Sequence, residues 1–174
     1  MYTSVLLFAM AGYALPFYTP SAPTWLNDYD RACKIGRQEG RPLAVFLAPG
    51  KTGPQKLITE GKLDKDVERL LGAHYVCVFL DTSKEANQSL AARFELNQGK
   101  GIVISDRSGS KQAFRKEGPL PSRDLERSLR RYADAERVVL QTETVENQSY
   151  RAVPVVVEPP IATTISYAPV ICST

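Results

Sequence analysis

The sequence predicts an α/β domain whose mixed sheet of about four strands is flanked by helices. Three observations carry this. Continuous apolar runs at 42–48 and 75–81 read as strands buried on both faces, the pattern of parallel pairing. Segments with apolar residues at helical spacing separate them. A turn, Asp106-Arg107-Ser108-Gly109, joins two further strand-like runs into a hairpin, which makes the sheet mixed.

The elements follow in order. The run Val5–Leu15 has the length of a signal-peptide core and is too short to span a bilayer. Small residues Gly12 and Ala14 offer a cleavage site, although no Lys or Arg precedes the run. Residues 1–24 are therefore expected to be a signal peptide and linker, ending in the proline-rich "PFYTPSAPT". Helix one is expected over 28–39, capped by Asn27 and ended by Gly40. Leu26, Tyr29, Ala32, Cys33 and Gly36 fall on one of its faces. "PLAVFLA" is a central strand. Pro54 opens a short helix that Gly61 closes, and a second helical piece covers 64–71. "YVCVFLD" is the next strand. Thr82 and Glu85 have capping-box spacing ahead of a helix that turns Ala86, Leu90, Ala91 and Phe94 inward. "GIVIS" and "KQAFR" form the hairpin. A last helix follows Ser122, with Leu125, Leu129, Tyr132 and Ala133 as its apolar stripe. The domain is thus expected over 25–134. Residues 135–174 form a C-terminal extension: one edge strand within "ERVVLQTETVE", then an extended tail whose prolines oppose regular structure.

Composition bounds the function. The chain has 174 residues and a formal net charge of +3, enough for one domain and too little charge to imply a nucleic-acid or membrane partner. One histidine and three scattered cysteines, Cys33, Cys77 and Cys172, supply no metal-ligand cluster and no Cys-x-x-Cys pair. No cofactor is expected.

The order of elements resembles the thioredoxin-like family, in its bacterial members, and implies a three-layer sandwich. "TWLNDYDRACKIGRQEGRPLAVFLA" resembles the opening of such domains, where a Trp and a helix lead into the central strand. "TGPQKL" resembles the Cys-Gly-Pro-Cys-Lys active-site run: Gly53, Pro54 and Lys56 match, while Thr52 and Gln55 stand at the cysteine positions. That alignment needs one extra residue between Ala48 and Thr52; without it, Lys51 and Pro54 take those positions. Neither supplies a cysteine. The family also implies a cis-proline just before "GIVIS", where this chain has Lys100-Gly101. Disulfide exchange needs a thiolate, and neither Thr52 nor Gln55 can become one. The resemblance, with its degenerate motif Thr52-Gly53-Pro54-Gln55, implies a redox-inactive binding or structural module with an unknown protein partner. The apolar run adds the expectation of export to the periplasm or beyond with no stable membrane anchor, the alternative being a cytoplasmic protein whose apolar tail packs on the domain. The turn would remain an interaction surface through Lys51, Thr52, Gln55 and a neighbouring Lys100.

Rival readings are an enzyme of another kind. Cys33 or Cys77 could act as a hidden thiol, yet both lie in apolar patterns, where burial raises the thiol pKa. Gly50-Lys51-Thr52 ends like a phosphate-binding loop, and Asp81 after an apolar strand resembles a magnesium-holding acid. The full loop would need a glycine at Val45, inside the strand. The N-terminus of the Pro54 helix keeps the character of an anion site. Arg123, Arg127, Arg130 and Arg131 read as a solvated stripe on the last helix, with Glu126–Arg130 as a spaced pair.

Overall fold

The computed structural model describes residues 22–51, 53–134 and 138–144. The Val5–Leu15 run, Thr52 and the proline-rich tail with Cys172 lie outside the described residues.

Among the described residues eleven elements follow one another: β1 (Trp25–Leu26), α1 (Tyr29–Glu39), β2 (Leu43–Ala48), a single 3-10 turn (Pro54–Leu57), α2 (Lys65–His74), β3 (Val76–Asp81), α3 (Glu85–Arg93), β4 (Gly101–Ser105), β5 (Gln112–Glu117), α4 (Ser122–Ala133) and β6 (Glu143–Thr144). They make one sheet in the order β1-β3-β2-β4-β5-β6. β3 is parallel to both β1 and β2, β4 is antiparallel to β2 and β5, and β6 is parallel to β5. The four long strands are those the sequence predicts. The two edge strands are two residues each, too short to show a side-chain period.

Alternation along the central strands sorts the core into two layers. Val45 and Leu47 of β2 join Val76, Val78 and Val103 against Ala32 and Cys33 of α1, Leu90 and Ala91 of α3, and Phe94 at the end of that helix. Ala44 and Phe46 join Cys77, Ile102 and Ile104 against α2 and α4. Helices α1 and α3 therefore cover one face, and α2 and α4 the other. Trp25 packs its ring edge-on to Phe46 at 5.0 Å, which fixes the start of the domain on the α2/α4 side. Gly36 is where α1 meets β2: a Cβ there would stand 2.7 Å from Leu43 Cδ1 and 3.0 Å from the Arg41 carbonyl oxygen.

Three local expectations are corrected. Asp28, one residue after the expected Asn27, caps α1, its Oδ1 accepting from the Arg31 N–H at 2.9 Å. Thr82 is not a capping residue. Its side chain is buried and its N–H donates to the Ala48 carbonyl at 3.1 Å, so the ladder with β2 holds it and α3 starts at Glu85 behind Lys84. The Pro54 helix is one 3-10 turn, because Ile58 leaves it to pair with Leu120. That pairing joins the turn to the start of α4, where Glu60 Oε2 accepts from the Ser122 N–H at 3.0 Å.

Candidate functional site

The segment after β2 leaves the sheet at the carboxyl end of a parallel strand, the place where open α/β sheets present ligands. Residues 49–51 are held there from β3. Asp81 Oδ1 accepts from the Gly50 N–H at 2.6 Å and from the Ser83 N–H at 3.0 Å, and Ser83 Oγ accepts from Gly50 at 3.1 Å. The Ser83 and Gly50 amides hold the Asp81 carboxyl below its usual range. The acid that resembles a magnesium ligand in the sequence is thus engaged in shaping a loop. Gly50 and Gly53 take φ of +84° and +82°, values that favour glycine.

Among the described members of the predicted surface, Lys51 and Gln55 are exposed, Gly53 is half-buried and Pro54 is buried. Lys100 precedes Gly101, whose register partner is Leu47, so it stands beside the end of β2. No peptide bond is cis among the described residues. Gly101 allows a close backbone approach: a Cβ there would lie 2.5 Å from the Lys116 carbonyl oxygen. The anion site expected at the Pro54 helix loses its basis, since one 3-10 turn carries no helix macrodipole of the kind such sites use.

Lys100 also lines a cavity of about 400 Å³ at the same end of the sheet, displaced toward β5, which it shares with Glu95, Gln98, Arg115, Lys116 and Glu117. Arg115 pairs with Glu95, and Glu117 accepts from the Gln98 N–H. Lys116 is buried, and desolvation draws its ammonium below the usual range. The sequence holds a weak sign of it: Lys116 falls two residues after core Phe114, on an inward position of the hairpin strand.

The cysteines are separated. Cys77 is free and buried on the α2/α4 face, its Sγ 3.7 Å from the Leu71 carbonyl oxygen, and burial pushes its thiol up to about 12. Cys33 lies on the α1/α3 face and is disulfide-bonded. Since Cys77 is free, the two do not pair. On α4, Arg127 and Arg130 bridge Asp124 and Glu126, and Arg131 bridges Glu143, so acids interrupt the stripe. Among the described residues no acidic, His or Cys group has metal-site geometry, and no helix is long and apolar enough to cross a membrane.

No family model and no curated protein matches the chain. The solution structure of a thioredoxin from Thermus thermophilus is similar to it, with a TM-score of 0.50 and 21% identity over 64% of this chain and 87% of that one. The fold is thioredoxin-like.

Proposed function

We propose that this thioredoxin-like domain is an exported binding or structural module that does not carry out dithiol–disulfide exchange. The observation that carries the proposal is the turn after β2. Whether Thr52 and Gln55 or, without a gap, Lys51 and Pro54 are set against the two cysteines of the Cys-Gly-Pro-Cys run, the turn offers no thiol, and the free thiol among the described residues, Cys77, is buried within the α2/α4 layer. A thiol with a pKa near 12 is protonated at neutral pH and is a poor nucleophile. Export draws support from the apolar run Val5–Leu15 and from the disulfide at Cys33, a bond that persists in oxidising compartments.

Reduction of insulin by dithiothreitol tests the redox part. The protein should leave the rate at the reductant-only level. Turnover well above it, lost in Cys33→Ser or Cys77→Ser, defeats the proposal. The binding part is tested by capture from the host's extracytoplasmic fraction, followed by affinity measurements on folded Lys51→Glu and Gln55→Ala proteins. Exposed donors at Lys51 and Gln55, with Lys100 next to the end of β2 from which the turn departs, make this turn the expected contact. Weakened binding in either variant supports it, and unchanged affinity in both removes the turn from the proposal.

A further inference from the structure

We propose that the cavity at the end of β5 binds a small hydrophilic oxyanion, a carboxylate or a phosphate ester. Its volume, about 400 Å³, lies in the range of small-molecule sites. Pro119 is the one apolar side chain among the described residues that line it; the rest are charged groups, amides, Thr144 and Gly118. A ligand suited to such walls is polar throughout. Three cations, Lys100, Arg115 and Lys116, stand against two acids, Glu95 and Glu117, which leaves the lining one positive charge in excess. Both acids are already engaged by the protein. Glu95 pairs with Arg115, whose Nη1 also donates to the Phe94 carbonyl at 3.4 Å, and Glu117 accepts from the Gln98 N–H.

Lys116 gives the strongest reason for an anion. It lines the cavity yet is 3% exposed. Burying an ammonium costs free energy that a counter-charge in the same cavity recovers. Desolvation draws its pKa below the usual range, while the charge of Glu117 acts the other way. The backbone fixes the frame around it. Gly118 leaves β5 with a φ of +76°, and its N–H donates to the Lys100 carbonyl at 3.0 Å, which holds Lys100 beside the strand end. Glu95 has a φ of +57°, the one positive φ at a non-glycine position among the described residues. It directly follows the cap of α3, a place where glycine is usual. The carboxylate that a glycine would lack is the one that meets Arg115. Glu95 therefore sets how much of the Arg115 charge reaches a ligand.

An amide-resolved NMR titration of the full chain tests the proposal. Inorganic phosphate and glucuronate are added in separate arms. Potassium chloride at matched ionic strength and glucose, the uncharged counterpart of glucuronate, are the controls. At least one anion should give saturable shifts centred on the amides of Gln98, Lys100, Glu117 and Gly118, half complete at or below about 10 mM. The controls should not. Saturation by phosphate alone marks a phosphate-ester site, and by glucuronate alone a carboxylate site. Lys116→Met and Lys100→Gln should each weaken binding about tenfold. Glu95→Gln keeps the size of the side chain and releases Arg115, so it should bind the anion several-fold more tightly. Circular dichroism checks that each variant is folded, and Lys100→Gln carries the test if Lys116→Met is not. The proposal is overturned by no saturable shift with either anion, by equal shifts with glucose or chloride, by parent affinity in the folded lysine variants, or by weaker binding in Glu95→Gln.

Discussion

At the scale of single residues, the side chains that shape the molecule are often those whose type suggests chemistry. Asp81 is an acid beside a glycine-lysine turn, and what it does is gather two backbone N–H groups. The expected consequence is specific. Asp81→Asn keeps an acceptor oxygen in place, whereas Asp81→Ala keeps none. Amide hydrogen exchange at Gly50 should quicken strongly in the Ala protein and little in the Asn protein; equal exchange in all three would mean the carboxylate does not hold the loop. Gln112 makes the opposite case. It is fully buried, and neither Nε2 nor Oε1 has a hydrogen-bond partner among the described residues. A buried polar group left unmatched costs about 1–3 kcal/mol. Gln112→Met, similar in shape and apolar, should therefore raise the unfolding free energy by about 1–2 kcal/mol in urea titration. A loss of stability would show that the amide is satisfied.

At the scale of elements, the central strands carry the fold. Val45, Leu47, Val76, Val78 and Ile104, all expected inside, are at most 5% exposed. Cutting Leu47 or Ile104 back to Ala should cost about 2–4 kcal/mol through lost burial and a residual cavity. Denaturant midpoints that hardly move would contradict the two-layer core. These strands were legible because burial on both faces leaves an unbroken apolar run. The helices were legible where an apolar face met a cap, as in α1 between Asp28 and Gly40. What the sequence hid was set by partners far along the chain. The Pro54 segment looks like a helix start locally, and it is cut short because Ile58 pairs with Leu120. Thr82 has a cap's spacing, but a strand neighbour claims its backbone. β6 does fall within the stretch where one edge strand is expected, but the contacts that hold it, Arg131–Glu143 and the Thr142 hydroxyl donating to the Gln112 carbonyl at 2.8 Å, are ones no local periodicity announces. The candidate turn was legible as a position, since a strand ending in Ala48 before Pro49-Gly50 marks it. The cavity beside it was not, because its lining comes from the α3–β4 loop and β5 together.

At the scale of the whole molecule, two sets of titrating groups limit stability from opposite ends of the pH scale. Glu60 is held low by the Ser122 N–H, and Asp81 by the Ser83 and Gly50 N–H groups. In the unfolded chain such carboxyls take up protons near ~4. Their contribution is present above that pH and is lost as the pH falls through the lower folded values. Cys77, Tyr75 and Tyr29 are all raised by burial, the thiol to about 12. An unfolded thiol loses its proton near ~8.5 and an unfolded tyrosine near ~10, while the folded groups keep theirs. Their contribution is complete below those values and is lost as the pH rises beyond them. The urea midpoint should thus be nearly level from about pH 5 to 8 and fall on both sides. Between about pH 8.5 and 10 the fall belongs mostly to Cys77, offset in part by Lys116, whose pKa desolvation holds low. Cys77→Ser, whose hydroxyl does not titrate there and can still donate toward the Leu71 carbonyl, separates the thiol from the tyrosines. The gap between parent and Cys77→Ser should narrow as the pH is raised from 8 to 10 in matched urea titrations. Parallel curves over that range would show that the thiol is not desolvated in the folded protein, and would return Cys77 to consideration as a reactive group.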